Sequence, residues 1–136
     1  LLALHVSHSA IRGQVVAITG CTTGTGFIAA KTMASAGAHV LMLNRPSQRV
    51  DAAAAAIEKE VPGAKITKVE CDLMNFASVR SAAQKVLEIT GQTGLDVLCN
   101  NAGIMALKDE ATGDGYDNQM QTVRLAPHQH CCSTVV

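Results

Sequence analysis

Aromatic residues are almost missing from this chain, which has no tryptophan, one tyrosine and two phenylalanines in 136 residues. Its core must therefore be assembled from alanine, valine, isoleucine, leucine and methionine. Charge is scarce too: only 16% of residues are charged, and eleven basic side chains cancel eleven acidic ones. A chain without net charge has no broad field to draw in nucleic acid or an anionic membrane. No apolar run approaches the roughly 18–20 residues that cross a bilayer, so no transmembrane segment is expected. The opening Leu1-Leu2-Ala3-Leu4 is apolar but short, and without a basic flank it does not make a signal peptide. Position 1 is not Met, so something upstream is expected to have been removed or left out. A cleaved organelle-targeting segment is one explanation.

The five cysteines, Cys21, Cys71, Cys99, Cys131 and Cys132, form no C-x-x-C pair. They read as small hydrophobes in a reducing compartment, cytoplasm or organelle interior, rather than as a disulfide framework. His128 and His130 stand beside Cys131 and Cys132. Adjacent cysteines do not match common zinc spacings and no second ligand pair exists, so no metal site is assigned.

What is present is hydrophobic, at 48% of residues, and periodic. The length fits one domain that buries about two-thirds of its unfolded surface. Val15-Val16-Ala17-Ile18 is a continuous apolar run of the kind buried on both faces of a parallel sheet. An Ala-rich helix is predicted over 25–36, closed by Gly37. A second strand runs from Ala38 to Leu43. Ser47 is placed to cap the next helix, in which Val50, Ala54, Ile57 and Val61 recur at helical spacing before Pro62-Gly63 ends it. A third strand, 65–71, alternates polar with apolar, as near a sheet edge. Asn75 can cap a helix lined by Phe76, Val79, Ala83, Val86, Leu87 and Thr90. Leu95 to Asn100 is a fourth strand, and one more helix opens near Asp114. Strands alternating with helices imply an α/β fold, a Rossmann-like doubly wound parallel sheet with helices on both faces. The chain divides into an N-terminal extension (1–12), this partial domain (13–125) and a tail without consistent period (126–136).

Between the first strand and first helix lies Thr19-Gly20-Cys21-Thr22-Thr23-Gly24-Thr25-Gly26. A strand, a glycine-rich loop and a helix N-terminus form a phosphate-binding arrangement. The helix end carries partial positive charge and unpaired N–H groups, and glycine allows close backbone approach.

The loop resembles that of the short-chain dehydrogenase/reductase family. Cys71-Asp72-Leu73, Asn100-Asn101-Ala102-Gly103 and Asp114-Gly115-Tyr116 with Gln121-Thr122 also match, so the resemblance runs from about Gly13 to Leu125. It implies strand order 3-2-1-4. It also implies cofactor contacts at Gly20, Thr22, Thr23, Gly24, Thr25 and Gly26, at Asp72 and Leu73, and at Asn100, Ala102 and Gly103. An acidic residue at the end of the second strand would favour NAD. Here Arg45 offers a planar charged fork suited to a 2′-phosphate. The similar pattern of the retinol-dehydrogenase-like branch implies NADP(H), in a site that is either occupied or empty.

The family's catalytic Asn, Ser and Tyr-x-x-x-Lys have no counterparts in these residues. Tyr116 precedes the expected position of the Asn, which aligns with Val123, and no catalytic residue is assigned. The resemblance thus describes a truncated chain that is not active alone. The fourth strand, Leu95 to Asn100, becomes an apolar edge, and another protein chain is expected to cover it. Two functions follow. One is the NADP(H)-binding half of a dehydrogenase/reductase. The other is a pseudoenzyme serving as a non-catalytic structural or docking subunit of a larger assembly, organellar or otherwise.

Overall fold

The computed structural model describes residues 11–129. Four strands form one parallel sheet: β1 (Val15–Thr19), β2 (His39–Asn44), β3 (Lys65–Glu70) and β4 (Val97–Cys99). Their spatial order is β3-β2-β1-β4, as the resemblance implies. Val15 of β1 pairs with His39 of β2, His39 with Lys65 of β3, and Val16 with Val97 of β4.

The strands alternate between two cores, one on each face of the sheet. Val16, Ile18, Val40 and Met42 point to one face, where Ala30 and Ala34 of α1 (Gly24–Ser35) and Val50, Ala54 and Ile57 of α2 (Gln48–Glu60) cover them. Ala17, Leu41 and Leu43 point to the other face, against Val79, Ala82 and Val86 of α3 (Phe76–Thr90) and against Ala126. Helices thus lie on both faces. In β1 and β2, both sides of the strand are dry. β3 buries only Val69, in keeping with its alternating sequence and its edge position.

Local chemistry sets the helix ends. Gly37 takes φ +88°, and α1 closes with Gly37 N–H donating to the Ala34 carbonyl and Ala38 N–H to the Met33 carbonyl. That pair of bonds is a Schellman motif, which needs the left-handed residue glycine supplies. Asn75 caps α3, its Oδ1 accepting from the Ala77 and Ser78 N–H groups. Ser47 occupies the cap position of α2 with extended backbone, but its side chain makes no capping bond, contrary to expectation.

Two boundaries differ from the sequence reading. β4 spans Val97–Cys99 instead of Leu95 to Asn100. Before it, the Asp96 carboxylate accepts from the Val15 N–H, a side chain replacing a ladder bond. After it, Asn101 N–H turns back to the Cys99 carbonyl. The last helix begins at Asn118 instead of Asp114, because Asp117 caps it through a bond from Met120 N–H to its Oδ1. This α4 (Asn118–Met120) widens into a π-helical turn (Gln121–Leu125) and continues through 126–129. The helical path therefore enters the stretch read as a tail. The metal-type cluster, apart from His128, lies outside the described residues.

Candidate functional site

At the C-terminal ends of the strands, the chain encloses a crevice of about 750 Å³. The crevice of a doubly wound sheet lies at this end, where the strand order reverses. Its floor is the glycine loop. Two of the glycines are required by close packing. A Cβ on Gly20 would stand 2.9 Å from Ala102 Cα, and one on Gly26 would stand 2.2 Å from the Gly20 carbonyl oxygen. The loop is therefore folded on itself and pressed against the segment that follows β4. The N–H groups at the start of α1 have no intrahelical carbonyls to bind, and Thr25 and Gly26 of that turn line the crevice.

Asn101 holds the packing together. Its Nδ2 donates to the Thr19 and Gly20 carbonyls at 3.0 and 3.1 Å, while Ala102 N–H donates to Thr19 Oγ1 at 3.0 Å. The end of β1 and the loop after β4 are thereby tied together across more than eighty residues of sequence.

The second wall begins at Asn44, the last residue of β2. Its Oδ1 accepts from the Cys21 N–H at 2.9 Å. That bond fixes the amide orientation and leaves Nδ2 buried with no partner. Beyond it, Arg45 and Arg49 line the crevice. Both side chains are exposed, and neither has an ion-pair partner among the described residues. Asp72 follows β3, its Oδ1 accepting from Met74 N–H in a local turn. The third wall is Asn101 to Ile104 together with Thr122, whose hydroxyl is buried without a partner.

Of the residues singled out in the sequence, Gly20, Thr22, Thr23, Thr25, Gly26, Arg45, Asp72, Leu73, Ala102 and Gly103 converge on the crevice. Gly24 and Asn100 do not line it. Gly24 instead starts α1 at φ +59°, and Asn100 is exposed beyond the short β4. Sequence reasoning did not count Asn44, Ser47, Arg49 or Thr122 among the cofactor contacts, and it put weight on Asn100 where Asn101 faces inward. Strand alternation stops at Cys99, so no period tells the two asparagines apart.

Two thiols near the site are held protonated. Burial pushes Cys21 up to about 12 and Cys71 up to about 11. Cys21 Sγ donates to the Ile18 carbonyl, and all three described cysteines are free. Cys21 and Cys71 act as packing, since a thiol this far from ionisation is a poor nucleophile.

A glycine loop at the switch point of a parallel sheet, walled by the ends of β2, β3 and β4, defines an α/β protein with a Rossmann-type crevice. The family model for short chain dehydrogenases matches residues 14–136. The chain belongs to that family. It is 38% identical over 120 residues to the short-chain dehydrogenase/reductase drtF of Aspergillus calidoustus, covering 88% of this chain and 38% of that protein. It is 32% identical over 113 residues to human retinol dehydrogenase 13, covering 83% of this chain and 34% of the relative. The chain thus spans little more than a third of the length of these relatives. Among solved structures, a Mycobacterium paratuberculosis protein superposes with TM-score 0.78 at 33% identity, covering 92% of this chain and 42% of that one. A metagenomic short-chain oxidoreductase in complex with NADP superposes with TM-score 0.77 at 26% identity, covering 92% and 56% respectively.

Proposed function

We propose that this chain binds NADP(H) in the crevice and forms the dinucleotide-binding half of an oxidoreductase. The observation that carries the reading is the second wall, where the exposed Arg45 and Arg49 have no ion-pair partner among the described residues. Two cations, Arg45 just after β2 and Arg49 in the first turn of α2, suit a phosphorylated ribose. A carboxylate there would suit a free ribose. The crevice volume falls in the range of small-molecule sites, roughly 300–1,000 Å³. The related oxidoreductase in complex with NADP supports the same cofactor class.

When bound, the nicotinamide group would supply or accept a hydride. This chain's own residues would bind and orient the dinucleotide. The loop and the first turn of α1 would hold the pyrophosphate, Arg45 the 2′-phosphate, and Asp72 and Leu73 the adenine side. Ala102 and Gly103 would border the ribose.

In this reading the 136 residues do not catalyse carbonyl reduction by themselves. Tyr116 is packed against Phe76, with ring centroids 5.6 Å apart, and does not line the crevice. Val123 is 52% exposed and has no polar side-chain atom. Neither can move a proton to a substrate in the crevice.

Calorimetric titration tests the cofactor reading. NADPH is expected to bind more tightly than NADH. Arg45→Ala is expected to weaken NADPH about tenfold, the size of a charged hydrogen bond of roughly 1.5 kcal/mol, and to leave NADH unchanged. Equal or tighter binding of NADH by the unsubstituted protein overturns it. Steady NADPH oxidation by the 136-residue chain with simple carbonyl substrates would overturn the proposed inactivity.

A further inference from the structure

Between β2 and α2 the chain presents an exposed serine with a cation on either side. Arg45, Pro46, Ser47, Gln48 and Arg49 are all exposed. Arg45 stands two residues before Ser47 and Arg49 two residues after it, and all three line the second wall of the crevice. Ser47 has extended backbone, and its hydroxyl makes no capping bond. The other serines among the described residues are placed differently. Ser35 Oγ donates to the Thr32 carbonyl, Ser78 Oγ accepts from the Asp72 N–H, and Ser81 lies inside α3.

An exposed hydroxyl on extended backbone, set between two arginines, has the features of a phosphoacceptor. Protein kinases select substrates by the charge pattern around the acceptor. The acceptor segment must also enter the kinase cleft at little cost to the fold. Here two backbone bonds hold the first turn of α2 to Ser47, from the Val50 N–H at 3.1 Å and the Asp51 N–H at 3.4 Å to the Ser47 carbonyl. The N–H groups of Gln48 and Arg49 have no intrahelical acceptor to lose. Val50 is the first buried residue of α2, so residues 45–49 can shift without opening the core.

We propose that Ser47 is a phosphorylation site for a serine/threonine protein kinase that selects basic residues, and that the phosphoserine keeps NADP(H) out of the crevice. In the transfer, Ser47 Oγ attacks the γ-phosphorus of ATP. The Oγ–P bond forms as the bond to the ADP oxygen breaks, and the hydroxyl proton passes to the kinase's catalytic aspartate. The product carries a charge of about −1.5 to −2 at pH 7 and three strong acceptor oxygens. Beside Arg45 and Arg49 it occupies the two cations that suit the 2′-phosphate, and it repels that group by like charge. The exclusion rests on the NADP(H) reading above, whereas the modification depends only on the exposed segment.

The test incubates the intact chain, and Ser47→Ala beside it, with Mg-ATP and a serine/threonine kinase that selects arginine around its acceptor. Peptide mapping by mass spectrometry reads the modification. Titration of the phosphorylated and unmodified proteins reads cofactor binding. Ser47 is expected to take up a phosphate, and the same peptide of Ser47→Ala to take up none. Phosphorylation is expected to weaken NADPH about tenfold or more and to leave NADH, which has no 2′-phosphate, within about threefold. Saturating NADPH should in turn slow the phosphorylation, because coupling between two binding events is reciprocal. A chain that stays unmodified at Ser47 overturns the proposal. So does a phosphorylated protein that binds NADPH like the unmodified one, or one that loses NADPH and NADH equally. If the unmodified chain does not bind NADPH, the cofactor reading fails and the exclusion falls with it. Phosphate uptake at Ser47, read without cofactor, tells that failure apart from failure of the site.

Discussion

Gly26 is the residue on which the crevice floor depends most directly. A methyl group there would meet both the Gly20 carbonyl oxygen at 2.2 Å and Asn101 Nδ2 at 2.4 Å. Neither neighbour can retreat cheaply, because one is backbone and the other already holds two carbonyls. Gly26→Ala is expected to destabilise the protein by about 3 kcal/mol, the scale of overpacking a filled site. Gly24→Ala has open space but a left-handed backbone, and it should cost about 1–2 kcal/mol. Urea unfolding of the two variants checks the order, and a larger loss for Gly24→Ala would contradict the packing account. The glycines are legible in the sequence because backbone chemistry demands them locally. Asn101 is not, because its role is to bridge segments distant in sequence.

Among the elements, the helix starts separate two kinds of polar residue that look alike in sequence. Asn75 and Ser47 both stand at helix N-termini with extended backbone, yet only the Asn75 side chain accepts backbone N–H bonds. Asn75→Ala should therefore cost about 1 kcal/mol, while Ser47→Ala should fall within about 0.5 kcal/mol of the parent. Denaturant midpoints with unchanged slopes would measure both. Asp114 ties α3 to the last helix. The Phe76 N–H above all, then the Gln121 amide and the positive charge of Arg80, hold its carboxyl below the ordinary value. A carboxyl with a lowered folded-state pKa binds its proton less readily than in the unfolded chain. Its contribution is therefore present above about pH 4 and lost as pH falls through the lower folded value. Thermal melts across the acid range should show Asp114→Ala with a shallower loss of Tm below about pH 4 than the parent. Parallel curves for the two proteins would remove Asp114 from the acid response.

For the whole molecule, the open side of the sheet is the main consequence. β4 pairs with β1 alone among the described strands, and Val97 is 43% exposed. Met105, Leu107, Met120 and Val123 are also exposed. An apolar strand edge recruits further strands, and a lysine on it opposes that. The 136-residue chain is expected to associate in a concentration-dependent way by light scattering, and Val97→Lys should shift it towards the 14.1 kDa monomer. A parent chain that remains monomeric throughout would rule out the edge as a contact surface.

The sequence by itself determined the α/β class, the element order, the dry strands β1 and β2, the Schellman end of α1, and the family. Each follows from short-range physics: apolar runs, helical spacing, glycine where φ must be positive, and a glycine loop between strand and helix. Tertiary structure alone decided which side chains face the crevice. Asn44, Arg49, Asn101 and Thr122 come together there only because β2, β4 and the last helix end side by side. β4 was shortened by the Asp96 carboxylate bond to Val15 and the turn at Asn101, contacts that no local period encodes. The unused hydroxyl of Thr122 is of the same kind, since a missing partner becomes visible only when every neighbour is in place.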